Sequence, residues 1–319
     1  MRFIKQFFKW LFIILICVFI ILSTTPYFFQ NHLKEAKKKP FENSYVFAYN
    51  NTKFHFRLFV PKHIKHKALL VHGFSASTFS FRNNIDTLIG NNTLVVAMDM
   101  PAFGYSDKSE SANYTDTNKI QAIHFVLNQI DKLSNNTSWD LIGHSMGAVV
   151  IGEYASAYPL QTKSLIFIDG LPFNQTHSSL QNLALYPPLL KWADVILEKK
   201  FLNFQSFQEL LSSAYNQLAD SQSTIGYMLP FETKNSGSAI FRMAAQSGYA
   251  IVNDSIINQT PKLIIWGAQD KWIPVESSAD YLKKPNTQSL IINDAGHCPM
   301  ETHASKVNAA IINFISKLE

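Results

Sequence analysis

A serine flanked by glycines is the first feature of this chain that could do chemistry. The segment Gly143–Gly147 reads GHSMG, a G-x-S-x-G pattern; it directly follows the apolar run 139–142 and directly precedes the apolar run 148–151. A sharp strand-to-helix turn exposes a serine hydroxyl at the end of the strand, and side chains at the glycine positions would collide with such a turn. The context predicts that Ser145 is a nucleophile rather than an ordinary loop serine.

A serine hydroxyl needs a neighbouring base, and a third group must orient that base. Downstream of Ser145, Asp270 and His297 each lie in a loop that follows a short apolar run. Side chains that follow parallel strands meet at one edge of the sheet. We therefore predict a triad of Ser145, His297 and Asp270. Asp169 also follows an apolar run, and it is the alternative acid.

Two backbone N–H groups are predicted to stabilise a developing oxyanion. Phe74 comes shortly after the apolar run 68–71, and Met146 is the residue directly after the serine. Donors in these positions can point at the oxygen on which charge develops. We expect His72 to stabilise its loop by hydrogen bonding, and His144 to be a packing residue.

The elements that would position these residues are short apolar strands alternating with helices. This alternation predicts a parallel sheet that is covered by helices on both faces. The first two strands form a predicted hairpin, and the predicted strands are 45–48, 53–60, 68–71, 94–98, 139–142, 165–168, 263–266 and 290–292. The predicted helices are 117–133, 145–158, 276–284 and 304–318. The fold class is thus α/β.

One stretch, 172–243, breaks the alternation because it contains no convincing strand. It divides the core into 45–171 and 244–319, and its leucine and phenylalanine residues have helical spacing. We predict a helical cap over the carboxyl ends of the strands. The residues that could line an acyl pocket beneath it are Phe173, Leu185, Leu189, Trp192, Phe207 and Tyr227. The alternative is that they only pack the cap onto the core.

The N-terminal region contains a long uncharged segment, 10–29, between a basic segment, 1–9, and a basic linker, 30–44. Twenty helical residues span about 30 Å, the thickness of the hydrocarbon core of a bilayer. No small-residue cleavage pattern follows, so we expect an uncleaved single-pass anchor that contacts membrane lipid; a cleaved signal peptide is the alternative. Basic residues on both sides leave the orientation open, with a preference for an extracytoplasmic catalytic domain.

The composition excludes several classes of protein. The chain of 319 residues is 47% hydrophobic and 16% charged, which excludes a disordered chain. Its two cysteines, Cys17 and Cys298, exclude a disulfide scaffold and a multi-cysteine zinc site. The net charge is +5, but no basic-aromatic recognition motif accompanies it, so we expect no nucleic-acid partner. We also expect no metal and no organic cofactor.

Several of these segments form a set: His72–Phe74, 99–106 (DMPAFGYS), Gly143–Gly147, Asp270 and Gly296–His297. Together they resemble the α/β-hydrolase family, over about residues 45 to 319. The resemblance implies a mostly parallel central sheet flanked by helices, with a helical cap. The segment 99–106 differs from the family's D-x-P-G-x-G-x-S turn in having Ala102 where glycine is usual. We assign no catalytic role to this turn.

The function that we expect is a membrane-anchored serine hydrolase that cleaves carboxylic esters through an acyl-enzyme. Lipase, monoacylglycerol-lipase-like esterase and thioesterase activity are all compatible with a lipophilic ester substrate. A serine at position 145 argues against the dehalogenases and epoxide hydrolases of the family, which use aspartate there. The alternatives are a carbon–carbon bond hydrolase with the same triad, and a non-catalytic binding protein on a hydrolase scaffold.

Overall fold

A computed structural model describes residues 2–29, 32–35, 39–133, 138–173, 185–248 and 251–318. Parts of the predicted linker and of the predicted cap, including 174–184, lie outside the described residues.

The central sheet contains eight strands in the part of the chain just defined. They are β1 (Ser44–Tyr49), β2 (Thr52–Phe59), β3 (His66–Val71), β4 (Thr93–Met98), β5 (Trp139–His144), β6 (Thr162–Ile168), β7 (Lys262–Gly267) and β8 (Thr287–Ile292). Their order is β1-β2-β4-β3-β5-β6-β7-β8; β2 is antiparallel to β1 and β4, and the other pairs are parallel. The predicted mostly parallel sheet is confirmed. Asn50 and Asn51 have positive φ angles of 44° and 59°, which suit the tight turn of the opening hairpin.

Helices cover both faces of the sheet. They are α2 (Ile85–Gly90), α3 (Asp116–Ile130), α4 (Met146–Ala157), α9 (Asp254–Gln259), α10 (Ala279–Leu282), α11 (Pro299–Thr302) and α12 (Ala304–Ser316). Along β3, Leu69 packs in one hydrophobic core with residues of α3 and α4, whereas Leu70 packs in a second core with residues of α2 and α12. This alternation explains why the central strands are apolar along their whole length.

Of the helices described between β6 and β7, we call the four that precede α9 the cap: α5 (Pro187–Ile196), α6 (Phe204–Tyr215), α7 (Ser221–Met228) and α8 (Ser236–Gln246). Local sequence sets the ends of α6. The Asn203 side chain accepts a hydrogen bond from the Ser206 N–H, at 2.9 Å, and so caps its start. Asn216, with φ 55°, ends the helix in the left-handed conformation.

The N-terminal helix α1 (Arg2–Thr24) begins earlier than the predicted span and continues into a 3₁₀ turn, Thr25–Phe28. The segment Gln6–Phe28 is long and apolar enough to cross a membrane, and its most apolar stretch has no buried residue. A signal sequence near an N-terminus has the same properties. The end of α1 contacts α5, because the Trp192 indole N–H donates to the Leu22 carbonyl at 2.8 Å.

The predicted helices differ from the observed ones mainly in their ends. The segment predicted as a helix over 276–284 is a 3₁₀ turn, Val275–Ser278, followed by the short α10. The short helices α2, α9 and α11 were not predicted, since four to six residues are too few for a clear helical period.

Candidate active site

Ser145 lies in a strained turn between β5 and α4. Its φ is 51° and its ψ is −117°, a conformation that costs a residue with a side chain about 1–3 kcal/mol. The Ser145 N–H donates to the Ile168 carbonyl at 2.9 Å. A Cβ on Gly143 would lie 2.4 Å from the Gly147 carbonyl oxygen, and one on Gly147 would lie 2.1 Å from that of Val71. The turn therefore requires both glycines.

His297 is oriented by Asp270. Its Nδ1 lies 2.7 Å from Asp270 Oδ2, and both side chains are buried. Since a carboxylate only accepts, Nδ1 carries the proton and Nε2 of the neutral ring is an acceptor. Burial acts to raise the pKa of the Asp270 carboxyl. The hydrogen bond and charge of His297, together with the N–H groups of Ile273 and Trp272, outweigh it and lower that pKa.

The backbone around His297 is held in place on two sides. The His297 N–H donates to the Ala214 carbonyl of α6 at 2.7 Å, and His144 Nε2 donates to the His297 carbonyl at 2.8 Å. Ser145 and His297 line the same cavity. No direct bond joins the serine hydroxyl to the imidazole among the hydrogen bonds of the described residues; such catalytic contacts are often long without substrate and tighten when it binds.

The two predicted oxyanion donors both belong to backbone close to Ser145. Met146 is the first residue of α4, so its N–H has no partner in a preceding turn of helix. Phe74 lines the cavity. A Cβ on the preceding residue, Gly73, would lie 3.1 Å from Ser145 Cβ and 2.8 Å from His144 Nδ1. The Phe74 loop thus passes very close to the serine because residue 73 has no side chain.

His72 stabilises this loop, as the sequence predicts. One ring nitrogen, Nδ1, donates to the Gly73 carbonyl at 2.7 Å, and the other, Nε2, accepts from the Met100 N–H at 3.0 Å. Burial lowers the pKa of His72, so the ring is neutral and its two hydrogen bonds are fixed. His72 therefore connects the loop after β3 to the loop after β4.

Asp99, for which the sequence predicts no role, connects strand β2, the 3₁₀ turn Thr78–Phe81 and its own loop after β4. Its carboxylate accepts from the Thr78 N–H at 2.6 Å, from the Tyr105 N–H at 2.8 Å and from His55 Nδ1 at 2.7 Å. Burial acts to raise the pKa of Asp99, but the facing His55 outweighs it and the pKa is lowered. Ala102 has a φ of 78°, so this turn keeps the conformation that glycine favours despite the substitution.

His144 does more than pack. Its ring donates to the His297 carbonyl and lies 4.9 Å from the His297 ring, centroid to centroid. Burial lowers the pKa of His144 to about 3, so the ring stays neutral at physiological pH. Its position inside the turn was visible in the sequence, but this bond to a loop 153 residues away was not.

Asp169, the alternative acid, lies at the same edge of the sheet. Its Oδ1 accepts from the Gly267 N–H at 2.9 Å, and burial, followed by the charge of Asp270, raises its pKa well above the ordinary value. One oxygen or nitrogen from each of Asp169, Asp270 and His297 lies within 4.8 Å of the others, the spacing of a metal site. However, His297 Nδ1 and both Asp270 oxygens already form hydrogen bonds. Asp270 is therefore the acid that holds the imidazole.

The cavity beside Ser145 has a volume of about 260 Å³ and lies between the cap and the core. The cap contributes Phe207, Leu210, Leu211, Ala214 and Tyr227, and the core contributes Phe74, Ser75, Ala76, His144, Ser145, Trp272, Ile273, His297 and Cys298. Two of the predicted pocket residues, Phe207 and Tyr227, are among them. Four positions of α6, with the spacing i, i+3, i+4 and i+7, form one wall.

The other four predicted pocket residues do not line this cavity. Trp192 is on the side of α5 that contacts α1, and its ring lies 5.9 Å from that of Phe29. Leu189 on the same helix is 44% exposed, and Leu185 and Phe173 are also exposed. The physical reason is that α6 and α7 cover the serine, whereas α5 packs against α8 and α1. Composition identified apolar cap residues but not the direction in which each helix faces.

Comparisons with known proteins agree with this architecture. Residues 69–304 match the family model described as the alpha/beta hydrolase fold. Monoacylglycerol lipase ABHD6 of Bos taurus is 25% identical over 275 residues, which are 81% of this chain and 77% of that protein. Lipase 3 of Moraxella sp. (strain TA144) is 26% identical over 257 residues, 73% of this chain and 71% of that protein.

Two solved structures show the same fold at low sequence identity. A membrane phospholipase A has a TM-score of 0.64 at 19% identity and covers 98% of this chain and 99% of its own. The meta-cleavage product hydrolase CumD from Pseudomonas fluorescens IP01 has a TM-score of 0.65 at 16% identity, covering 86% of this chain and 98% of its own. The family match extends over most of the chain and contains Ser145, Asp270 and His297. This chain is a hydrolase that belongs to the α/β-hydrolase family, which has lipase- and esterase-like members.

Proposed function

We propose that this protein is a membrane-anchored serine hydrolase that cleaves carboxylic esters through a covalent acyl-enzyme. The observation that carries the proposal is the His297–Asp270 pair, joined at 2.7 Å, in the same cavity as the strained Ser145. A base that is held in one tautomer and shares a cavity with a serine hydroxyl is the arrangement that activates a serine.

In the acylation step, His297 Nε2 accepts the proton of Ser145 as the hydroxyl oxygen attacks the ester carbonyl carbon. The N–H groups of Phe74 and Met146 stabilise the tetrahedral oxyanion. Each donor of this kind is worth about 2.7–4 kcal/mol of barrier height. The imidazolium then gives its proton to the departing alcohol oxygen as the carbon–oxygen bond breaks, which leaves the acyl group on Ser145.

In the deacylation step, His297 removes a proton from water, which attacks the acyl carbonyl. The second tetrahedral intermediate is held by the same two N–H groups, and its collapse releases the acid while the proton returns to Ser145. Asp270 stabilises the imidazolium in both steps and stays ionised, because its pKa is lowered. Asp270 thus fixes the ring without taking part in proton transfer.

The substrate that we propose is an ester with a lipophilic acyl group. The cap contributes five apolar or aromatic residues to the cavity. At its rim, Phe74, Leu210 and Trp272 are each 44–51% exposed; exposed apolar surface of this kind marks a binding site. The names of the two lipase relatives support the same substrate class.

The membrane anchor that we propose is α1. The most apolar stretch of this helix has no buried residue. Its end contacts two aromatic residues, one just before α5 and one within it. Tyr186 bonds to the Ser23 hydroxyl at 3.0 Å, and Trp192 bonds to the Leu22 carbonyl at 2.8 Å. Tyrosine and tryptophan are enriched where a membrane meets water, so their position at the end of α1 supports a boundary there.

Two assays test the proposal. We expect the purified full chain to hydrolyse p-nitrophenyl acetate or butyrate and to be labelled by a fluorophosphonate. Ser145→Ala abolishes both, whereas Ser305→Ala, a matched change at an exposed serine of α12, abolishes neither.

Each other outcome favours a different interpretation. Labelling of Ser145 without hydrolysis of any ester would favour the carbon–carbon hydrolase. No labelling of folded wild-type protein would favour a non-catalytic binding protein. Equal labelling of Ser145→Ala would mean that another residue is the nucleophile.

A further inference from the structure

A buried charged cluster lies behind the cavity and has no part in the proposed chemistry. It consists of Arg82, Tyr215, Tyr227 and Glu301, and we call it the Glu301 junction. The Glu301 side chain is 1% exposed. Arg82 donates to one carboxylate oxygen, Tyr215 donates to the same oxygen at 2.7 Å, and Tyr227 donates to the other oxygen. Both oxygens of this carboxylate are therefore engaged.

The junction connects three parts of the site that are far apart in the sequence. Glu301 is in α11, four residues after His297, and Arg82 directly follows the 3₁₀ turn Thr78–Phe81 of the Phe74 loop. Tyr215 and Tyr227 belong to the cap helices α6 and α7.

Two further hydrogen bonds join the cap helix α7 to the segment of the core around Arg82. Arg82 Nη2 donates to Ser223 Oγ of α7 at 2.6 Å, and the Tyr227 and Ser80 hydroxyls are 2.9 Å apart. The two cap helices are thus held to the core by side chains of the same loops that carry the catalytic groups.

The chemistry of the junction makes it a strong constraint on position. A buried carboxylate must be compensated by donors, and hydrogen bonds to a charged acceptor are about twice as strong as neutral ones. The Tyr227 hydroxyl forms hydrogen bonds with Glu301 and Ser80, and the Tyr227 ring forms part of the cavity wall. The core therefore determines how far the α7 wall extends into the cavity.

We propose that Glu301 is a positioning residue that holds Tyr227 and Tyr215 against the core and thereby limits the length of acyl chain that the cavity accepts. The inference rests on the proposed ester hydrolysis. When the carboxylate is lost, the α7 wall relaxes outward and the cavity admits longer chains.

The test compares p-nitrophenyl octanoate with p-nitrophenyl acetate in wild type, Glu301→Gln and Tyr227→Phe. The quantity measured is the ratio of kcat/KM for octanoate to kcat/KM for acetate. One methylene in an apolar pocket is worth roughly 10- to 200-fold in discrimination, so we expect a rise of at least about fivefold in both variants. The matched control is Tyr154→Phe: Tyr154 is buried, and its hydroxyl donates to Gln161 at 2.6 Å, away from the cavity. It leaves the ratio unchanged.

The outcomes separate this inference from the proposed function. Parallel loss of activity on both esters, or an unchanged ratio, in Glu301→Gln and Tyr227→Phe would overturn the inference while ester hydrolysis stands. If Glu301→Gln fails to fold, as judged by circular dichroism, Tyr227→Phe alone decides, because it keeps the ring and the Arg82–Glu301 pair. If wild type hydrolyses neither ester, the proposed function fails and this inference fails with it.

Discussion

At the scale of single residues, the position of the imidazole depends on a carboxylate that is itself held by the backbone. Asp270 receives two N–H groups of its own loop, at 2.8 and 3.0 Å, on one oxygen and His297 on the other. The carboxylate therefore cannot rotate without losing hydrogen bonds that its burial makes necessary. Asp169, which comes within 4.8 Å of Asp270, receives one backbone N–H, from Gly267.

Replacing Asp270 with asparagine is expected to lower kcat by about 10⁴-fold, because an amide can stabilise the wrong imidazole tautomer. The comparison is Asp169→Asn. Asp169 accepts from the Gly267 N–H, whereas the imidazole is bonded to Asp270, so this variant is expected to change kcat much less. Steady-state kinetics on p-nitrophenyl butyrate measure both. A larger loss in Asp169→Asn than in Asp270→Asn would reverse the assignment of the acid.

At the scale of elements, the turn between β5 and α4 is packed without spare room. A side chain at residue 147 would lie 2.1 Å from the Val71 carbonyl oxygen, in the neighbouring strand β3. Relief would require β3 and α4 to separate, since backbone atoms cannot rotate away as a side chain can. The two glycines thus fix how closely helix and sheet approach.

Gly147→Ala is expected to destabilise the protein by more than about 3 kcal/mol, the upper range for an overpacked core. Gly90→Ala is the matched control, because a Cβ there meets nothing within 4 Å; it has a small effect of at most about 1 kcal/mol. Thermal unfolding followed by circular dichroism measures both. Equal melting temperatures for wild type and Gly147→Ala would contradict this account of the turn.

The strands and the loops that follow them could be predicted from sequence because their apolar runs are nearly continuous. The eight predicted strands, including β5 before Ser145 and β7 before Asp270, are confirmed. The stripe on α6 that lines the cavity also has visible helical spacing. By contrast, the partner of α5 could not be predicted, since an amphipathic helix shows that one face is covered but not by what. The hydrogen bonds of Asp99 and Glu301 join residues that are far apart in the sequence, in strands, helices and loops, so no local pattern predicts them.

At the scale of the whole molecule, a buried acid in the core makes the stability of the fold depend on pH. Glu153 is in α4, beside Asp116 and Lys119 of α3, and burial raises its pKa to about 8. The folded state therefore holds a proton on Glu153 at pH values where the unfolded chain has released it. The contribution of Glu153 to stability consequently falls as the pH rises from about 4.5 to about 8.

Glu153→Gln removes this titration from the folded state. Relative to wild type, the variant is expected to gain up to about 1.4 kcal/mol of unfolding free energy per pH unit between pH 5 and pH 8. Above about pH 8 the difference becomes constant. Denaturant unfolding of both proteins across this range measures the difference, and a difference that does not vary with pH would contradict the raised pKa.

The membrane anchor that we propose for α1 predicts a physical fractionation. Arginine at the centre of a membrane-spanning helix costs about 2.5–3.5 kcal/mol, so the double variant Ile14→Arg, Val18→Arg is expected to leave the membrane pellet during an alkaline carbonate wash. The control is Leu160→Arg, which lies outside α1 at a surface position that is 93% exposed. We expect this variant to stay with the membrane as wild type does. Mass spectrometry of the purified protein tests the alternative. A mature chain that lacks about 25 N-terminal residues would indicate a cleaved signal peptide and contradict the anchor.

The hydrogen bond between the Trp192 indole and the Leu22 carbonyl has a consequence for any shed form of the enzyme. A protease that removed α1 and the 3₁₀ turn after it would remove the residues that Tyr186 and Trp192 contact. The remaining chain would then carry a newly uncovered aromatic patch at the start of α5 and within it, and we expect it to self-associate more readily than a chain that keeps α1.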